Sequence, residues 1–290
     1  METDTIVEVR DLKLHFVMDS DYTVKAIDGV SFYIKKGEVF GLVGETGCGK
    51  STTAKAITGI YRPTSGEILY KGRSITENDT LNMMHKEVQM IFQDSGAALN
   101  PRMTAEKIIM EPVEISRHSE SSKSAGEKMH EILRQVGLNE NVLTKFPQEL
   151  SGGQRQRVAI ARSLMMDPEL IVADEPIASL DISIQAQIIN LFKHLQKTYG
   201  FTFLFIAHDL SVVRFISDRI GVMLHGRLVE MAEAEELFEN PLHPYTKSLL
   251  SAIHIPDPQY ERTKTFLEYD TRTPLGTEMK EKTKGHFVLE

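Results

Sequence analysis

Apolar and polar positions alternate in part along residues 6–16 and 24–34, the period of antiparallel strands with one covered face. Four short runs are instead mostly apolar: Val39-Phe-Gly-Leu-Val43, Val88-Gln-Met-Ile-Phe92, Leu170-Ile-Val-Ala173 and Phe203-Leu-Phe-Ile-Ala207. Such runs fit strands buried on both faces. The first leads straight into a glycine-rich stretch followed by a helix-like segment at 52–60, and the other three end at polar residues. Strands alternating with helices, with polar residues at strand C-termini, predict a mostly parallel α/β sheet whose ligand lies at that edge. Between Gln93 and Ser151 the pattern changes, and Met129, Ile132, Leu133 and Val136 recur at helical spacing. A helical sub-domain inserted into the sheet domain is the reading. Residues 219–231 predict a hairpin turning at His225-Gly226. Beyond about Ile255 the chain becomes rich in Thr, Glu and Lys without a clear period, which predicts a poorly ordered tail.

Composition narrows the class. At 290 residues, 41% hydrophobic and 26% charged, the chain reads as an ordinary soluble globular protein with one large domain, a sub-domain and a tail. It has no run of about 18 apolar residues to span a bilayer. Met1-Glu-Thr-Asp-Thr has neither the basic flank nor the apolar core of a secretory signal. A net charge of −8 argues against wholesale binding of nucleic acid or anionic lipid. Cys48 is the single cysteine, so no internal disulfide or cysteine-based metal site forms, as expected of a cytosolic protein.

The stretch Gly44-Glu-Thr-Gly-Cys-Gly-Lys50-Ser51 fits G-x-x-x-x-G-K-[ST] between a strand and a helix. Its glycines let backbone N–H groups crowd around phosphates, helped by the following helix N-terminus. Lys50 is expected to reach the β- and γ-phosphates, and the Ser51 hydroxyl to ligate Mg²⁺. Cys48 inside this loop serves as a small space-filler. Lys50 and the helix start beside it would lower its thiol pKa, so a bulky thiol reagent there is expected to block ATP and ATP to protect.

Asp174-Glu175 ends the apolar run at 170–173 and precedes Pro176. Asp174 is placed to hold Mg²⁺, mostly through water, and Glu175 to polarise the attacking water as general base. Acid pairs are commonly just solvated, and a lone Gln or His at a strand end is more often structural. Here Gln93 and His208 each end an apolar strand aimed at the nucleotide edge. Gln93 could then sense Mg²⁺ and the water, and His208 the γ-phosphate. Ser151-Gly152-Gly153-Gln154 opens a helix with Ser151 as natural N-cap. A plain capped helix satisfies that pattern, but two glycines at a helix N-terminus also make an exposed anion site.

Taken in order, the glycine loop, Gln93, Leu150-Ser-Gly-Gly-Gln154, Asp174-Glu175, Ser179-Leu-Asp181 and His208 resemble the full motif set of an ATP-binding cassette (ABC) transporter nucleotide-binding subunit over roughly residues 6–254. The resemblance implies an α/β P-loop NTPase (RecA-like) fold with an N-terminal antiparallel β sub-domain and an inserted helical one. The sheet core would take residues 6–95 and 152–235, the helical sub-domain 96–151, and a C-terminal extension, partly disordered, 236–290. It implies a nucleotide site built from Gly44, Glu45, Thr46, Gly47, Cys48, Gly49, Lys50, Ser51 and Thr52. Adenine would stack on an aromatic near the N-terminus, Tyr22 first and Phe16 second. The signature Ser151, Gly152, Gly153 and Gln154 would meet the nucleotide of a partner subunit, and Asp181 would lie in the loop coupling two ATP sites. Glu175, His208 and Gln93 would be catalytic, with Ser51, Gln93 and Asp174 around Mg²⁺.

Ile91-Phe-Gln-Asp94, Leu99-Asn-Pro-Arg102, Ser179-Leu-Asp-Ile-Ser-Ile-Gln185 and Asn240-Pro-Leu-His-Pro-Tyr245 narrow the resemblance to oligopeptide, dipeptide and nickel importers, most nearly the second (F-type) ATPase of an oligopeptide system. That resemblance implies two membrane permeases, a related second ATPase or a second copy of this chain, an extracellular or periplasmic solute-binding protein, and a place on the cytoplasmic face of the membrane. An exporter ATPase, or an ABC ATPase of DNA repair or translation, is the competing reading. The family's C-terminal cysteine cluster has no counterpart after Cys48.

Overall fold

The computed structural model describes residues 4–19, 22–116, 122–253 and 266–290. In chain order the elements begin with β1 (Thr5–Asp19), β2 (Tyr22–Lys35), β3 (Val39–Val43), α1 (Lys50–Ile57), β4 (Ser65–Tyr70) and β5 (Arg73–Ser74). Next come α2 (Asn78–Glu87), β6 (Val88–Ile91), α3 (Ser95–Ala98), α4 (Ala105–Ser116), α5 (Ser122–Gln135) and α6 (Gly152–Leu164). The remainder comprises β7 (Leu170–Asp174), α7 (Ile182–Tyr199), β8 (Thr202–Ile206), α8 (Leu210–Ile216), β9 (Arg219–Leu224) and β10 (Arg227–Glu233). The chain finishes with α9 (Ala234–Glu239), α10 (Pro244–Ser251), β11 (Met279–Thr283) and β12 (His286–Leu289).

The chain divides into two compact units, one holding residues up to 6, 35–37 and 70–204, the other 7–34, 38–69 and 205–290. In the first, β6 and β7 pair in parallel from Val88↔Leu170 to Ile91↔Ala173, with β8 on the far side of β7. Every residue of β7 and β8 is buried, in keeping with sequences that are apolar apart from Asp174 at the end of one and Thr202 at the start of the other. Helices dominate residues 96–151: α4 packs on α5 and α6, and α5 buries Met129, Ile132 and Leu133, with Val136 buried just past its end. Helix α7 stops where Gly200 takes the left-handed conformation that glycine adopts without strain, φ 68°.

In the second unit β2, β1 and β4 are neighbours in one sheet. Within this unit the order β11-β12-β10-β9-β3 belongs to a different sheet from that one. The β3/β9 pair is parallel, Phe40↔Arg219 to Val43↔Val222, and the β9/β10 pair is the expected hairpin turning at His225 and Gly226.

The tail departs from expectation. Residues 254–265 lie outside the described residues, yet β11 and β12 form a second hairpin whose β12 joins β10 at Glu230↔Val288 and Met231↔Phe287. The buried His286, Val288 and Leu289 supply the reason, since three anchors on a four-residue strand show no period in a sequence otherwise polar.

Candidate functional site

The glycine loop joins β3 to α1 within the second unit. Gly44 and Gly49 hold φ of 145° and 109°, where side-chain-bearing residues are strained. A Cβ on Gly44 would stand 2.2 Å from the Met223 carbonyl oxygen, and one on Gly49 2.4 Å from that of Ala26. Both positions therefore demand glycine twice over, by backbone conformation and by space. Gly49 is also the N-cap of α1 and offers no side-chain acceptor, so the positive end of the helix stays uncovered by side chains. The Lys50 side chain is buried, and its Nζ donates to the carbonyl oxygens of Gly44 (2.6 Å) and Glu45 (3.0 Å). A loop with no room for a Cβ at Gly44 or Gly49, a bare helix start and a buried ammonium together fit a polyphosphate.

Ser51 and Thr52 sit half-buried in the first turn of α1, while Glu45, Thr46 and Gly47 are exposed at the loop tip. His208 lies exposed just beyond β8, where the Ala207 N–H donates to the Leu42 carbonyl. On β2, Tyr22 is 64% exposed, whereas Phe16 is engaged edge-on with Tyr61 at 5.4 Å between ring centroids. Of the two aromatic candidates, Tyr22 presents the freer face.

Cys48 corrects an expectation. Its side chain is 5% exposed, and burial pushes the thiol up, overriding the Lys50 ammonium 3.8 Å from the sulfur. The thiol is thus not activated, because desolvation of a thiolate outweighs one neighbouring cation.

The first unit carries the acids. Asp174 closes β7 and is buried, and Glu175 follows in the left-handed region with φ 46°. A non-glycine residue held there directly before Pro176 is backbone strain of the kind functional turns retain. The Gln93 amide donates to Glu175 Oε2 at 2.8 Å, so these two candidates do meet, and the amide orients the carboxylate.

At the start of α6, Ser151 Oγ accepts from the Gln154 N–H while the Gln154 side chain accepts from the Ser151 N–H, a reciprocal cap. The second glycine has a packing reason that sequence reasoning missed. A Cβ on Gly153 would fall 2.8 Å from Ile184 Cγ2 of α7, the helix that Asp181 starts. The signature and the Asp181 turn are therefore locked together, with Gly152 at ordinary contact distance from Leu180.

A family model described as ABC transporter matches residues 27–178, and one described as oligopeptide/dipeptide transporter, C-terminal region, matches residues 229–276. The chain is 52% identical to the oligopeptide transport ATP-binding protein OppF of Bacillus subtilis, over 99% of this chain and 96% of that one. It is 47% identical to the oligopeptide transport ATP-binding protein AmiF of Streptococcus pneumoniae, over 99% and 95%. Its fold matches a dimeric, post-hydrolysis structure of the ATP-binding cassette MJ0796 bound to ADP and Pi, with a TM-score of 0.72 and 30% identity over 79% of this chain and 99% of that one. On these matches the chain belongs to the ABC transporter family, as an ATP-binding, ATP-hydrolysing subunit of its oligopeptide/dipeptide transporter branch.

Proposed function

We propose that this chain powers the import of oligopeptides, working as one of two ATPases beneath two permeases at the cytoplasmic face of a membrane. The observation that carries this reading is the match of residues 229–276 to the oligopeptide/dipeptide transporter C-terminal region, together with OppF at 52% identity. Among the described residues no helix is long and apolar enough to cross a membrane, so contact with the permeases falls to surfaces. One groove of about 710 Å³ in the first unit, lined by His85, Gln89, Phe92, Glu111, Ile115 and Met166, suits a permease segment. It exposes Ile115 and Phe92, the residue just before Gln93, so an inserted segment would press on the carboxylate-orienting amide.

In this reading ATP is the substrate. The glycine loop and Lys50 hold its phosphates, Tyr22 stacks on adenine, and His208 contacts the γ-phosphate. Glu175 accepts a proton from the water that attacks the γ-phosphorus, with Gln93 holding the carboxylate. Mg²⁺, held by Ser51, Asp174 and Gln93, would neutralise phosphate charge. Ser151, Gly152, Gly153 and Gln154 serve the ATP of the neighbouring ATPase, a relative or a second copy, and Asp181 links the two sites. A solute-binding protein outside the membrane delivers the peptide.

Growth on a tripeptide as sole source of an essential amino acid tests the cargo. Deleting the gene should abolish that growth, and the wild-type chain but not Glu175→Gln should restore it. Unchanged growth on peptide with lost accumulation of nickel would make the cargo a metal instead.

A further inference from the structure

The segment Asn240-Pro-Leu-His-Pro-Tyr245 is not used by any of the ATPase motifs, yet it ends on the phosphate loop. Tyr245, in the first turn of α10, is 1% exposed, and its hydroxyl accepts the backbone N–H of Glu45 at 3.1 Å. The carbonyl oxygen of the same Glu45 accepts from Lys50 Nζ at 3.0 Å and from the Cys48 N–H at 3.2 Å. The Glu45 residue is thus gripped at both polar groups, by a phenol from the C-terminal region on one side and by the phosphate-binding ammonium on the other.

The phenol is itself firmly placed. His243 caps α10, its Nδ1 accepting from the Tyr245 N–H at 3.1 Å. The backbone N–H groups of Leu242 and His243 donate to the two oxygens of the fully buried Glu230, at 2.7 and 2.9 Å. His286 of β12 meets the same carboxylate at 2.8 Å, and Tyr269 packs against the Tyr245 ring at 5.6 Å between centroids. Strand β10 and the terminal hairpin therefore hold the start of α10, the turn that carries Tyr245.

We infer that Tyr245 is a positioning residue for nucleotide binding, fixing the Gly44–Glu45 peptide and, through its Gly44 carbonyl, the hold of the phosphate loop on Lys50. An ammonium has three donor protons, and ATP oxygens compete for them with the carbonyls of Gly44 and Glu45. A Gly44–Glu45 peptide that swings freely presents the Gly44 carbonyl, the acceptor of Lys50 at 2.6 Å, in many orientations, and phosphate binding must then select one. With the peptide fixed, that selection is already made, and the gain falls on binding rather than on the chemical step. The C-terminal region of this branch would in that way be a working part of the ATP site. This goes beyond the cargo assignment and does not depend on it.

Tyr245→Phe removes the hydroxyl and keeps the buried ring. In the assembled transporter it should raise KM for ATP by about three- to tenfold, the loss of one net hydrogen bond, and leave kcat within about twofold. Isothermal titration of the purified full chain with Mg-ATP should show the same loss of affinity. Glu45→Pro deletes the other partner of the bond, so adding Tyr245→Phe to that background should cost no further affinity. An unchanged KM in Tyr245→Phe, a fall confined to kcat, or full additivity in the double variant would each overturn the assignment. Should Tyr245→Phe not fold, Glu45→Pro alone decides by the same KM and kcat criteria.

Discussion

At the scale of single residues, the positions that sequence motifs single out are those whose local geometry is least ordinary. Glu175 is held at φ 46° ahead of a proline, and its carboxylate is tied to Gln93. Neither feature is visible in the letters Asp-Glu-Pro, which announce an acid pair but not how it is aimed. Lys50 shows the opposite case, since the motif alone predicts a cation among glycines and the structure adds only its carbonyl partners. For Cys48 the letters mislead. Proximity to Lys50 argues for a reactive thiol, while the degree of burial, which depends on packing around the loop, argues for an inert one. At pH 7.5 the native protein should react with N-ethylmaleimide at least about tenfold more slowly than the guanidinium-unfolded chain, and the rate should climb with pH. Equal rates, followed by mass spectrometry, would show that the thiol is neither buried nor raised.

Elements carry the second layer of information. The buried strands β7 and β8 were legible because a strand covered on both faces must be apolar throughout. The start of α6 was legible as a cap, but the need for Gly153 was not, because Ile184 lies on a different helix. The terminal hairpin escaped for a related reason: β11 is mostly exposed Lys, Glu and Thr, and only its pairing through β12 to β10 makes it a strand. Helix α10 offers a prediction of its own. The His243 ring must stay neutral at Nδ1 to accept the Tyr245 N–H, and burial holds its pKa below the ordinary histidine value, with Glu230 opposing. The unfolded chain therefore binds a proton that the native chain refuses, and stability from this group is lost as pH falls through about 6.5, the free-histidine value. His243→Asn keeps a capping acceptor and removes the titration. Urea midpoints of the wild type should fall more steeply than those of the variant between pH 7.5 and 5.5, and parallel curves would contradict the role given to this ring.

On the scale of the whole molecule, each unit carries its own set of candidate ATPase residues. The glycine loop, Lys50 and His208 belong to one, and Gln93, the signature, Asp174, Glu175 and Asp181 to the other. Chain order alone singles out these candidates, because each sits at a strand end or helix start whose local pattern is strong. The Tyr245–Glu45 bond was not legible, for its partners are 200 positions apart and a tyrosine in a His-Pro-Tyr stretch looks the same whether it fills a core or braces a loop. The account as a whole rests on Glu175 as the base that turns bound ATP into ADP. The most direct test incubates wild-type protein and Glu175→Gln with Mg-ATP, then identifies the nucleotide retained by each. The wild type should hold ADP, and Glu175→Gln should bind ATP as tightly but retain it intact, with hydrolysis slowed by at least about a hundredfold. ADP appearing in the variant at the wild-type rate would show that another group performs the chemistry.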